Sequence, residues 1–400
     1  MSRLASLAAL AGVALSTPAA HAQLAVRGET VYTMAGAPIR DGVVLIRGGR
    51  IERVGPASQV PVPAGYRVLT ARVVTPGLVD AHSVVGLAGL LGQPHDQDQL
   101  DRTDAIQPEL RAVDAYNASD ELVAWLRGHG VTTVHTGHGP GALASGQTMV
   151  VKTRGDDVGE ALVDSATMVA FTLGPSVASN YRTPGTRARG VAMLRNEFLK
   201  AREYERKRRA GGQAPDLRME ALLDVLERRR PALVTAQRTT EILAALRLAR
   251  EFGFKLVLDG AAEAYRVTDE IRRADVPVIL HPTMVRTSGE TENATLETAK
   301  ILRDAGIVVA LQSGFEGYVP KTRVVLFEAA VAAANGLGVE NALRTVTIDA
   351  ARVIGMERRV GSLEPGKDGD LALFDGDPFE YTTHVCAVVI EGQVVSETCR

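Results

Sequence analysis

Thr75-Pro76-Gly77-Leu78-Val79-Asp80-Ala81-His82-Ser83-Val84 is the stretch on which the reading of this chain turns. The apolar pair Val73-Val74 leads through Pro76-Gly77 into Leu78–His82, a short strand that ends on a histidine. Alternation along a strand sends residues i and i+2 to the same side, so His82 and Val84 share a face. Two imidazoles at such positions grip one divalent ion. Val84 has no lone pair to give, and the question becomes what else gathers around His82.

Downstream, strands and helices alternate. Thr239 to Phe252 opens on threonines with Glu241 in the first turn, carries Ile242, Leu243 and Leu246, and stops at Gly253, which predicts a helix. Lys255-Leu256-Val257-Leu258 predicts a strand, 261–274 a helix, Val276–Leu280 a strand, 291–305 a helix and Ile307–Leu311 a strand. Near-continuous apolar strands separated by helices imply a parallel sheet covered on its outer face. With 400 residues available, an α/β fold with a (β/α)8 TIM-type barrel is expected.

The two ends differ from the middle. Thr30–Thr33, Gly42–Ile46 and Arg50–Val54 alternate and are punctuated by Gly48-Gly49. Asp370–Phe374 and a hairpin turning at Glu391-Gly392 have the same character. The expected organisation is a signal peptide (1–22), a first β-sandwich part (23–75), the barrel (76–355) and a second sandwich part (356–400), the two parts forming one composite β-sandwich domain.

Residues 1–22 carry one charge, Arg3, then an apolar run from Leu4 to Leu15 and Ala20-His21-Ala22 before Gln23. This is a secretory pattern, too short in its apolar run to span a bilayer comfortably. An exported protein, periplasmic or extracellular and without a membrane anchor after cleavage, is expected. A net charge of −2 gives no electrostatic reason to expect nucleic acid. Aromatic residues are only 4% of the chain, so stacking partners for the basic stretch Arg182–Arg218 are sparse, and it reads as a solvated helix. Cys386 and Cys399 flank the C-terminal hairpin; a disulfide and two free thiols both remain open on sequence grounds.

Thr75–His82, together with Val360-Gly361-Ser362-Leu363-Glu364-Pro365-Gly366-Lys367-Asp368-Gly369-Asp370-Leu371, resembles the amidohydrolase superfamily, and within it exported imidazolonepropionase-like members. The resemblance runs over nearly the whole mature chain and implies the barrel-plus-sandwich architecture. It also implies one or two divalent ions at the C-terminal mouth of the barrel. Such ions lower the pKa of a bound water and polarise a carbonyl, and an Asp on the last strand takes the proton. The implied reaction is hydrolysis of a C–N bond in an amide, a lactam or a peptide-like substrate.

Position by position, the ligand pattern has changed. His82 is kept, as a vestigial or partial metal ligand, with Val84 in place of the second histidine. Val234-Thr235-Ala236-Gln237-Arg238 stands where the family reads Val-His-Ala-His-Arg, Asp259-Gly260-Ala261 where it reads Glu-His-Gly or Glu-His-Ala, and Leu311-Gln312-Ser313-Gly314 where it ends on an acid. Thr and Gln are poor zinc ligands, and Val and Gly side chains offer none. The leading expectation is therefore a non-catalytic or impaired homologue that needs no cofactor. It would act in binding a small-molecule ligand, or in assembly as a homo-oligomer or with an active relative. The alternative is a genuine hydrolase of non-peptide C–N bonds holding zinc on a displaced tripod of His82, His135 and His138. His135-Thr136-Gly137-His138 follows the strand Val131–Val134, which should end at the same mouth. Gln237, Asp259 and His281 complete the candidate pocket. A serine hydrolase on Ser83, Ser145 or Ser313 would need a base within hydrogen-bond reach, and no G-x-S-x-G elbow is present.

Overall fold

The computed structural model describes residues 23–212, 214–314 and 324–399. The signal reading of 1–22 lies outside them. The described strands are β1 (Leu24–Val31), β2 (Ile39–Arg47), β3 (Arg50–Pro56), β4 (Arg67–Pro76), β5 (Leu78–Ser83), β6 (Val131–Thr136), β7 (Ala144–Gln147), β8 (Met149–Lys152), β9 (Leu162–Asp164), β10 (Val169–Thr172), β11 (Ala232–Ala236), β12 (Leu256–Gly260), β13 (Val278–Leu280), β14 (Val309–Ala310), β15 (Leu371–Phe374), β16 (Val385–Ile390) and β17 (Gln393–Ser396).

Both ends of the chain enter one sheet, in the order β17-β16-β15-β4-β1-β2-β3. Its halves meet where β15 pairs antiparallel with β4, Leu371 opposite Pro76 and Phe374 opposite Val73. The sheet curls until its far end returns: Ile51 N–H donates to Lys367 O (2.9 Å) and Gly369 N–H to Gly49 O (2.8 Å). The inner core thus gathers residues from both termini, Val26, Val44, Ile46 and Val74 against Leu363, Leu371 and Val389. Strand β4 was not expected from the sequence; its exposed Val68 and mixed alternation hide it. The hairpin turns at Glu391-Gly392, and Cys386 and Cys399 are disulfide-bonded across it.

The middle of the chain builds an irregular barrel. Strands β10 to β14 run parallel in sequence order, and β5 pairs parallel with β6. A parallel bridge between Ser83 and Gly314, with Ala81 N–H donating to Leu311 O (3.3 Å), joins β5 to the end of β14. Between β6 and β10 the wall continues through β8, antiparallel to β6, and β7, antiparallel to β10, and Thr148 between them exchanges backbone bonds with Thr167 and Met168.

Helix Thr239–Phe252 has the predicted bounds, because Gly253 adopts the left-handed cap (φ 80°) and its N–H reaches Ala249 O. The basic stretch is a helix over Arg187–Arg209. Two expected helices are shorter. After β12, Gly260 (φ 75°) and Ala261 (φ 49°) reverse the chain, so 261–274 becomes a 3-10 turn and a helix at Thr268–Arg273. Asn293 donates its amide to Glu263 (2.6 Å) instead of joining a helix, and the following helix starts at Thr298.

Barrel and sheet are joined by a buried cation. Lys152 on β8 is 1% exposed and pairs with Asp370 and, at 3.2 Å, with Asp368. Removing one partner of a buried pair strands the other charge. Lys152→Met should therefore cost about 3–5 kcal/mol in urea unfolding, whereas Arg27→Met, which breaks the exposed Arg27–Asp41 pair, should cost no more than about 1 kcal/mol.

Candidate functional site

Period-two stepping builds the site. Leu233, Val257, Ile279 and Ala310 point inward from four adjacent strands and pack with Val79 and Ala81 into an apolar plug. Two residues on, the same strands present Thr235, Asp259, His281 and Gln312, all 6% exposed or less. Side chains two apart share a face, so a polar layer sits on the plug toward the C-terminal ends of the strands.

Asp259 is the hub of that layer. Its Oδ1 accepts from Gln312 Nε2 (2.9 Å) and faces His82 Nδ1 at 3.1 Å, and its Oδ2 accepts from the Thr235 hydroxyl (2.6 Å). Burial alone would raise this carboxyl; the His82 charge and the three hydrogen bonds hold it below its usual value. Gln312 also donates to Leu280 O (3.0 Å). Asp80 binds the other end of the same loop, accepting from Ser313 N–H (3.1 Å) and the Ser313 hydroxyl (2.5 Å). Burial nonetheless pushes Asp80 up to about 6.

The histidines do not form the displaced tripod. Strands β5 and β6 do end together, with Ser83 opposite Thr136, and the His82 and His135 ring centroids are 5.6 Å apart. His135 is locked, however: its Nδ1–H donates to Ala81 O (2.6 Å), and Nε2 accepts from the Thr148 hydroxyl (2.7 Å). Burial, then the neighbouring His82, lowers its pKa to about 3. His138 lies past the strand end against Gly146, beside a groove lined by 97–103 and 109–115. His281 donates Nδ1–H to Pro282 O (2.7 Å), and burial lowers its pKa. Gln237 folds over Gly260, where a Cβ would lie 2.4 Å from its Nε2, and accepts from Ala262 N–H (3.2 Å).

Comparisons with known proteins follow this architecture. A profile of the amidohydrolase family matches residues 322–396. The solved structure of an amidohydrolase from Thermotoga maritima MSB8 is 30% identical, with a TM-score of 0.89, over 94% of this chain and all of that one. The chain belongs to the amidohydrolase superfamily. Imidazolonepropionases are similar along most of their length. That of Caulobacter sp. (strain K31) is 26% identical over 84% of this chain and 88% of its own, and that of Sphingopyxis alaskensis 28% over 87% and 91%. Amidohydrolase tasK of Hapsidospora irregularis is 25% identical over 88% of this chain, which spans 39% of that longer protein.

Superfamily membership implies a divalent ion at this mouth. Among the described residues, no group of three or more His, Cys, Asp or Glu side chains is arranged to hold a metal. Asp259 spends both oxygens on protein donors, and both His135 nitrogens are engaged within the wall. The sequence named Asp259 as a pocket residue but gave no sign of its central role, since its partners come from strand ends far apart in the chain.

Two predictions follow from this layer. Thr235→Val removes the shortest donor to a buried carboxylate and should cost about 1.5–3 kcal/mol in urea unfolding. His135 and His138, with pKa values of about 3 and about 4 against 6.5 for free imidazole, stay neutral in the fold. Their contribution to stability is present above pH 6.5 and is lost as pH falls toward those values, because the unfolded chain takes up protons first. Asp80 acts oppositely: its contribution is full below 3.8 and lost as pH rises through about 6. Imidazole NMR signals of His135 and His138 should not titrate between about pH 8 and about pH 5.

Proposed function

We propose that this amidohydrolase-superfamily barrel works by binding rather than by metal-dependent hydrolysis. It would recognise a small molecule or assemble with another copy or an active relative. The observation that supports this reading is the saturation of Asp259 by Thr235, Gln312 and His82. One of those donors, Thr235, stands where the family resemblance places a histidine, and Gln312 stands two residues before the position of the catalytic acid. A carboxylate whose two oxygens already accept hydrogen bonds has less to offer a cation, and Thr and Gln are weak ligands beside it. An exported location agrees with the Cys386–Cys399 disulfide, since such bonds persist in oxidising compartments.

Metal content decides between this reading and a displaced hydrolase on His82, His135 and His138. The mature chain is loaded with zinc, desalted and assayed by elemental mass spectrometry, with amide and lactam substrates tested in parallel. The expected result is zinc well below one equivalent and no turnover. One zinc per chain, lost in His135→Ala, would overturn the binding reading and restore the hydrolase.

A further inference from the structure

Beside the barrel, segments 97–103 and 109–115 and the turn His138–Pro140 wall a groove of about 1000 Å³. None of Thr235, Asp259, Gln312 or His82 lines it. Gly139 N–H donates to Gln99 O (2.7 Å), which fixes the floor. His138 is 5% exposed and is seated in a notch that only glycine allows: Gly146 has φ +136°, and a Cβ there would lie 2.4 Å from the imidazole Cδ2. Among the described residues, neither ring nitrogen of His138 has a hydrogen-bond partner, and neither does Gln99 Oε1. The orientation of Gln99 is set by its own amide, which donates to Gln97 Oε1 (2.8 Å). The neighbouring carboxylate, Asp101, is hydrogen-bonded by Thr103 and Gln107 and acts on His138 through its charge, without a hydrogen bond to it.

Buried polar groups in folded proteins have partners, and an unmatched set in the wall of a cavity points to a bound molecule. Burial keeps His138 neutral, so its ring offers one donor and one acceptor. Gln99 Oε1 offers acceptor capacity alone. The complementary set is one acceptor and two N–H donors, which two consecutive peptide units supply between them. The rim adds both signs of charge, Arg102 and Arg111 against Asp98 and Asp114, all exposed. A groove of this volume is within the range that encloses small ligands.

We propose that this groove binds a zwitterionic short peptide, with consecutive backbone amides on His138 and Gln99 and the charged ends at the rim. The proposal rests on the binding reading above and names its ligand class. No bond is made or broken in it.

The test is calorimetric titration of the mature chain with trialanine, followed by mass spectrometry of the recovered peptide. The expected result is saturable binding that weakens by about tenfold or more in His138→Leu, and similarly for the end-blocked N-acetyl-trialanine amide. Should His138→Leu fail to fold, the exposed variant Arg111→Glu carries the test and should weaken binding as well. No binding of trialanine, or equal affinity in wild type, His138→Leu and Arg111→Glu, overturns the groove and leaves the zinc result standing. Binding with the peptide recovered intact supports both proposals. Binding with cleavage supports the groove while overturning the non-hydrolytic reading.

Discussion

The geometry of this molecule hangs on one buried cation. Lys152 is held between Asp370 and Asp368, all three at most 3% exposed. The loop that supplies the carboxylates is bound from several sides. Arg359 reaches Asp368 (2.8 Å), Glu391 N–H reaches Asp370 Oδ1 (2.8 Å), and Asp370 O accepts from Gly77 N–H (2.9 Å) at the entry to β5. Lys152 itself lies opposite Thr133 in the strand that carries His135. The loop Gly366–Asp370 therefore sets where both histidine-bearing strands begin. A buried ion pair is a poor source of net stability but a strong constraint on register. Here it ties a barrel from the middle of the chain to a sheet built from its two ends.

That division explains why the fold was legible in the sequence. The segment Val360–Leu371 and the strand Leu78–Ser83 carry the residues that dock the two parts, and both are local patterns. Helix Thr239–Phe252 was equally local, with an apolar stripe and a glycine stop. The errors fell where tertiary contacts override propensity. Ala261 takes a positive φ because its N–H is drawn to Ala236 O (3.0 Å), which breaks the expected helix at its first residue. Strand β4 escaped notice because it is half exposed, and its partners β1 and β15 lie at opposite ends of the chain.

The site was legible only as a set of positions. His82, Asp259, Gln237 and His281 all sit at strand ends, as the βα pattern requires. Their bonding could not be read, because the hydrogen-bond partners of Asp259 are contributed by β5, β11 and the end of β14. The sequence also left open, as the alternative reading, that three imidazoles near one mouth converge. Backbone geometry forbids it for His135, whose ring is captured by the carbonyl of Ala81 on the adjacent strand before it can reach the mouth. No spacing rule carries that information, since it depends on the pairing of β5 with β6 and the placement of Thr148.

The replacements at the mouth are mutually consistent. A carboxylate left in a dry barrel interior after the loss of a cation would be costly to bury. Asp259 is fully buried, and its pKa is held below the usual value because the His82 charge and the donors His82, Thr235 and Gln312 outweigh the cost of burial. Without those donors the carboxylate would face apolar side chains or other acceptors and would have to take up a proton. A coherent donor set is what an interior needs if it is to stay packed without an ion, and it leaves the barrel able to serve as a rigid frame. The unmet hydrogen-bonding capacity at His138 and Gln99 lies outside that frame, in a groove walled by connecting segments. Loops displayed on a rigid scaffold are where recognition is most easily built.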